Sequence, residues 1–168
     1  TMPHVLIRNS DGTFTFKKAT WNIRKAGDAI TAPPPSFVDS EIKGLVLFRD
    51  RLGFLSGENI SLSEAGEYFN FYRTTTTTII GSDPLDVRAS HNKVSNLHAA
   101  VPYNRNLILF SDRTQFMLTG GDVLSPDSIS ISQETEYETD PNSLPVVSGT
   151  HVYFPFPRGD YSGVMEYL

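Results

Sequence analysis

The sequence predicts a mainly β protein: antiparallel meander units, partly propeller-like, with one short helix near residues 92–100. Three observations carry this. The stretch Phe48-Arg49-Asp50-Arg51-Leu52-Gly53-Phe54-Leu55 returns as Phe110-Ser111-Asp112-Arg113-Thr114-Gln115-Phe116-Met117, so both copies read Phe-x-Asp-Arg-x-x-Phe-(Leu/Met). Repetition at a spacing of tens of residues marks a repeated supersecondary unit. Turn signals punctuate residues 44–72 about every eight residues, the rhythm of a sandwich, barrel or propeller. The composition, with 12 Gly, 11 Pro, 11 Phe and 7 Tyr, leans toward strands and turns.

Along the chain, Val5 to Arg8 and Thr13 to Lys17 are β-prone and flank Asn9-Ser10-Asp11-Gly12, a hairpin turn signal. Pro33-Pro34-Pro35 is a stiff connector, because proline fixes φ and donates nothing to a ladder. A boundary there divides an N-terminal hairpin and connecting segment, residues 1–32, from an incomplete propeller-like β module, residues 36–168. Gly44 to Phe48 is a continuous apolar strand. Asp50-Arg51 turns the chain, Leu52 to Ser56 returns, and Ile60 to Ser63 alternates apolar and polar. Tyr68, Phe69 and Phe71 close the unit. Thr74 to Thr78 reads as a solvated strand, since threonine is β-branched, and Leu85 to Ala89 as another.

Val94, Leu97 and Ala100 or Val101 fall at helical spacing before Pro102, hence the helix over 92–100. Leu107 to Phe110 and Thr114 to Leu118 form the second hairpin, Ile129 to Ile131 a strand, and Glu134 to Asn142 a loop. Val152 to Phe156 and Val164 to Leu168 flank a turn at Pro157-Arg158-Gly159-Asp160 and begin a third unit. Units starting near Phe48, Phe110 and Phe154 suit propeller blades of roughly 40–50 residues plus insertions. The chain starts at Thr1 and stops at Leu168 directly after a strand pattern, so it reads as a fragment of a longer protein.

The net charge is −5, with 14 Lys and Arg against 19 Asp and Glu. This argues against a surface built to grip nucleic acid, which needs clustered cations. With no cysteine there is neither a disulfide framework nor a thiolate metal site. No apolar run approaches the roughly 20 residues that span a membrane as a helix.

The residues that look chemical each have a plainer reading. In the two repeats, Phe48, Asp50, Arg51 and Phe54 correspond to Phe110, Asp112, Arg113 and Phe116. Each Asp caps its turn, and each Arg packs across the sheet or pairs with a neighbouring carboxylate, or else enters a subunit interface. Glu58, Glu64 and Glu67 crowd one meander; as a pair, two of them could hydrolyse a glycoside, but all sit in or beside turns that expose carboxylates anyway. Glu134, Glu136, Glu138 and Asp140 read as a solvated loop, or as a patch that repels DNA phosphates. His91 and His98 stand at i and i+7 of the expected helix, whereas metal pairs stand at i and i+4. His4 and His151 lack a ligand partner at useful spacing, and no nucleophile elbow or phosphate loop is present. Tyr68, Phe69, Phe71 and Tyr72 are stacking candidates for sugars or bases, though aromatics mostly serve cores. No catalytic, cofactor-binding or metal residue is expected.

Pro35-Ser36-Phe37, the run Phe48 to Asn59, the run Ser63 to Phe71, Ser82 to Val87, Ala100 to Tyr103 and Leu109 to Phe116 together resemble the tail tubular protein B family. These are the tail nozzle proteins of short-tailed bacteriophages. Met2-Pro3-His4 and Trp21 extend the resemblance over nearly the whole chain. It implies an internal fragment of a propeller-containing virion protein in a hexameric ring, whose channel conducts DNA out of the capsid. The implied partners are other copies of the chain, the adaptor and fibre proteins of the tail, and DNA in transient, non-specific passage without stable binding. The function so implied is structural, in the phage tail; the alternative is a carbohydrate-binding or polysaccharide-hydrolysing tail module.

Overall fold

The computed structural model describes residues 2–90, 92 and 94–168. Among these, thirteen strands form four antiparallel sheets, none closed on itself, and there is no α-helix. The chain begins with a hairpin of β1 (His4–Arg8) and β2 (Phe14–Lys18). Its Asp11-Gly12 turn forms because Asp11 Oδ1 accepts the Thr13 amide at 2.9 Å and Gly12 takes φ 86°.

Three meanders follow. The first holds β3 (Gly44–Phe48), β4 (Arg51–Ser56), β5 (Asn59–Leu62) and β6 (Leu85–Arg88), in that order across the sheet. The second holds β7 (Leu97–Tyr103), β8 (Asn106–Ser111), β9 (Gln115–Thr119) and β10 (Ser130–Thr135), again in chain order. The third holds β11 (Val146–Ser148), β12 (His151–Arg158) and β13 (Tyr161–Tyr167). Two-residue turns led by Gly57, Gly149 and Gly159, each at positive φ, join β4–β5, β11–β12 and β12–β13.

The meanders stack face to face because the strands are apolar on both sides. In β8, Leu107 and Leu109 face the first meander, meeting Val46, Phe48, Leu55, Ile60 and Leu62. The alternate residues Ile108 and Phe110 face the third, meeting Val152 and Phe154. The Phe110 and Phe154 rings lie 5.3 Å apart. Each fully buried Leu or Phe contributes about 1.5–3 kcal/mol. The first strands stand beside one another, β3 against β7 and β7 against β11. On the far side of the first meander, Phe54 packs with Phe37 and Phe71, and Trp21 closes this cluster. The Trp21 indole N–H donates to the Pro3 carbonyl at 2.8 Å.

The helix expected over 92–100 is not there. Residues 94–96 are irregular and β7 starts at Leu97; Lys93 lies outside the described residues. The helical spacing was accidental. Val94, which should head the apolar face, is 75% exposed, whereas Leu97, Ala99 and Val101 are buried. A bulge between Leu97 and Ala99 breaks the strand's alternation, so its period of two is hidden. Pro102 is tolerated because β7 is an edge strand. Likewise β6, and not residues 68–71, closes the first meander, and among the described residues Thr74 to Thr78 has no strand to pair with.

Candidate functional site at the hairpin corners

At the first corner Phe48 pairs with Arg51, leaving Arg49-Asp50 as the two turn residues. Both take left-handed φ, 46° and 58°. Arg51 is therefore the first residue of β4 and shares the inward face with Phe48. It is 1% exposed. Its Nη1 donates to the carbonyls of Ser63 (2.7 Å), Ser82 (3.1 Å) and Asp83 (2.8 Å), and its Nη2 to those of Gly81 (3.0 Å) and Leu124 (3.0 Å). One guanidinium thus ties the residue just past β5, the strand-free segment before β6, and a loop of the second meander. Burial pushes its pKa below the ordinary value, while the charges of Glu64 and Asp83 oppose that shift. Arg49 points outward and bonds the Gly121 and Arg105 carbonyls at 2.7 and 2.6 Å. Asp50 Oδ1 accepts the Tyr68 hydroxyl at 2.7 Å, and the Asp50 carbonyl accepts the Gly66 amide at 2.8 Å.

The second corner has a different register. Phe110 pairs with Gln115, the Ser111 amide donates to the Thr114 carbonyl at 3.0 Å, and Asp112-Arg113 form the tip. Arg113 is exposed. The residue opposite Phe110 is Gln115, 2% exposed, whose Nε2 donates to the Tyr137 carbonyl at 3.0 Å. Its Oε1 accepts the Thr135 hydroxyl at 2.7 Å and the Tyr137 amide at 3.2 Å. Opposite each corner phenylalanine, then, stands a buried polar side chain that stitches a loop: Arg51 in one meander, Gln115 in the next. Phe48 and Phe110 face forward along the stack, and Phe54 and Phe116 face back. The motif alignment does not match Arg51 with Gln115. The available signal was one polar residue at the head of the apolar run Phe116 to Leu118.

Several of the remaining candidates are engaged in structure. Glu58 pairs with Arg88 and its Oε1 accepts the Ser95 amide at 3.1 Å; these bonds hold its carboxyl below the usual range. Glu64 Oε2 accepts the Asn70 amide nitrogen at 2.5 Å. Phe71 lies in the aromatic cluster, whereas Tyr68 and Phe69 are partly open at 41% and 43%. His98 is buried, with Nε2 3.0 Å from the Thr139 hydroxyl. That hydroxyl donates to the Ser111 carbonyl at 2.7 Å, so Nε2 carries the proton. Among the described residues Nδ1 has no hydrogen-bond partner. Burial lowers the His98 pKa against the opposing charges of Asp112 and Asp140. His91 lies outside the described residues. Among the described residues no three His, Asp or Glu side chains gather as a metal site would require.

Stacked meanders held by a buried cation and a buried amide define a structural β module. The bacteriophage nozzle protein family model matches residues 1–168, and the chain belongs to that family. It is 41% identical to tail tubular protein gp12 of Escherichia phage T7 over 167 residues, 99% of this chain and 21% of that relative. The chain therefore spans about a fifth of the length of the relative it matches. It is a viral structural protein of the virion tail.

Proposed function

We propose that the chain forms part of the wall of a phage tail nozzle, in a hexameric ring through which DNA leaves the capsid. Adaptor and fibre proteins would be its neighbours, and it would carry no catalytic role. The observation that supports this is the succession of meanders, each leaning on the next, with first strands adjacent. This is how propeller blades cover the apolar faces that each would otherwise expose. Residues 36–168 are then a propeller-like module and residues 1–32 its hairpin and connecting segment. The corners at Phe48, Asp50, Arg51 and Phe54 and at Phe110, Asp112, Arg113 and Phe116 mark its repeated units. The −5 charge fits a channel that DNA must pass without sticking. The outer faces of the stack remain apolar: Leu45 and Leu47 on one side, Val146 and Val164 on the other.

The test is imaging of tails that carry a tag after Gly159, in the exposed turn between β12 and β13. Six tags around the channel are expected. Tags away from the axis, or in a number that is not a multiple of six, would overturn the reading. Duplex binding in the nanomolar range at physiological salt would separately overturn the passive-passage part of it.

A further inference from the structure

The β1–β2 hairpin is exposed on both faces. Nine of its ten strand residues are exposed and Val5 is half-buried. A lone two-stranded hairpin is marginal in water, and this one shows large apolar groups to solvent. The register Leu6↔Phe16, Arg8↔Phe14 and His4↔Lys18 places Leu6, Phe14 and Phe16 on one face, 65%, 61% and 71% exposed. His4 stacks on Phe16 with centroids 5.2 Å apart. Arg8 and Lys18 sit at the ends of that face, and Lys17 is on the other. The single acid in residues 4–18, Asp11, is bonded to Thr13 inside the turn. In an acidic chain, the arm is a cationic and aromatic projection.

The same chain carries the complement. Residues 134–140 contain Glu134, Glu136, Glu138 and Asp140 and no Lys or Arg, with Tyr137 45% exposed among them. This segment begins in the last two residues of β10, an edge strand that among the described residues pairs with β9 alone. Such an edge can take a further strand.

We propose that the β1–β2 hairpin is an assembly arm that docks on the β10 edge and acidic segment of a second copy of this chain. A nucleic acid would neutralise Arg8, Lys17 and Lys18 but would not cover Leu6 and Phe14 on a hairpin face. A second copy supplies carboxylates, an aromatic side chain and an open strand edge together. The wall-segment reading rests on the meander stack, so failure of the arm would leave it standing.

The chain holds no cysteine, so introduced thiols report cleanly. Phe16→Cys chains mixed with Tyr137→Cys chains are expected to cross-link into mixed dimers, and neither variant alone into like pairs. In sedimentation, Lys17→Glu with Lys18→Glu should weaken self-association about tenfold, as two lost ion pairs at a desolvated rim would. Mixing with Glu136→Lys, Glu138→Lys chains should restore it. Trp21, the only tryptophan, monitors folding of each variant. A chain that stays monomeric at high micromolar concentration overturns the proposal. So do single-cysteine variants that cross-link with themselves as readily as with each other, or hairpin variants that lose duplex DNA binding while self-association is unchanged.

Discussion

Removing the Arg51 guanidinium tests the account of the corners most directly. Three of its five acceptors, the carbonyls of Ser63, Asp83 and Leu124, sit in buried bonds. A buried carbonyl that loses its partner costs about 1–3 kcal/mol. Three would cost roughly 3–9 kcal/mol if independent, but they share one donor and do not add. The variant Arg51→Met also escapes the desolvation of a buried cation, which favours the lower half of that range. About 3–5 kcal/mol is expected, the scale seen when one partner of a buried charged network is removed. For a chain of this size each kcal/mol shifts Tm by about 2–4 °C, so the midpoint should fall roughly 6–20 °C. Arg113→Met, the motif counterpart, removes an exposed tip residue and should stay within about 0.5 kcal/mol. Gln115→Leu should fall between them. Thermal and urea unfolding of the three variants measures this. A midpoint for Arg51→Met close to the parent's, or an Arg113→Met loss of equal size, would refute the reasoning.

Three further outcomes are expected. The folded His98 pKa lies below its ordinary 6.5, so the unfolded chain takes up the proton first. Stability present above that value is lost as pH falls toward the folded one, and His98→Gln should flatten this part of the melting profile. The lowered carboxyls act in a separate window, from about 4.5 downward for Glu58 and from about 3.8 downward for Asp28 and Asp140. At Gly53 an added Cβ would sit 2.7 Å from Leu62 Cδ2 and 2.8 Å from Val46 Cγ1. Gly53→Ala should therefore cost about 1–3 kcal/mol in urea unfolding. Phe54→Ala opens the cluster of Phe37, Phe71 and Trp21 and should cost about 3–5 kcal/mol, with a red shift of the single tryptophan's emission.

The elements read correctly in the sequence were those whose signals are local. Asp11-Gly12 fixed the first hairpin, and the apolar runs of β3, β8 and β12 stand bounded by turn residues. What failed was non-local. β7 is buried, bulged and closed by a proline, so nothing within residues 97–103 separates it from a short helix; only pairing with β8 decides. Thr74 to Thr78 has strand propensity but no partner among the described residues, because Leu85 to Arg88 takes the place beside β5. The repeat was visible, but not its register. Phe48 and Arg51 enclose a two-residue turn, whereas Phe110 and Gln115 enclose a longer one, so the alignment set a buried cation against a solvated one.

That offset bears on how such a stack stays in register. A strand with one apolar face resists slipping by one residue, because the slip would bury its polar side. In β8 the run Leu107-Ile108-Leu109-Phe110 is apolar on both faces, and β4 is buried on both, so hydrophobic burial discriminates weakly between registers. Arg51 and Gln115 supply the missing discrimination. Moved to the opposite face, the Arg51 guanidinium would meet the Phe54 aromatic cluster instead of five carbonyls, and an unpaired charge buried there is prohibitive. Gln115 would likewise lose its amide bonds to Tyr137. One polar anchor at the mouth of each apolar hairpin therefore fixes which residues face forward and which face back. In a stack of sheets held by their apolar faces, correct facing of one meander is the condition for docking the next.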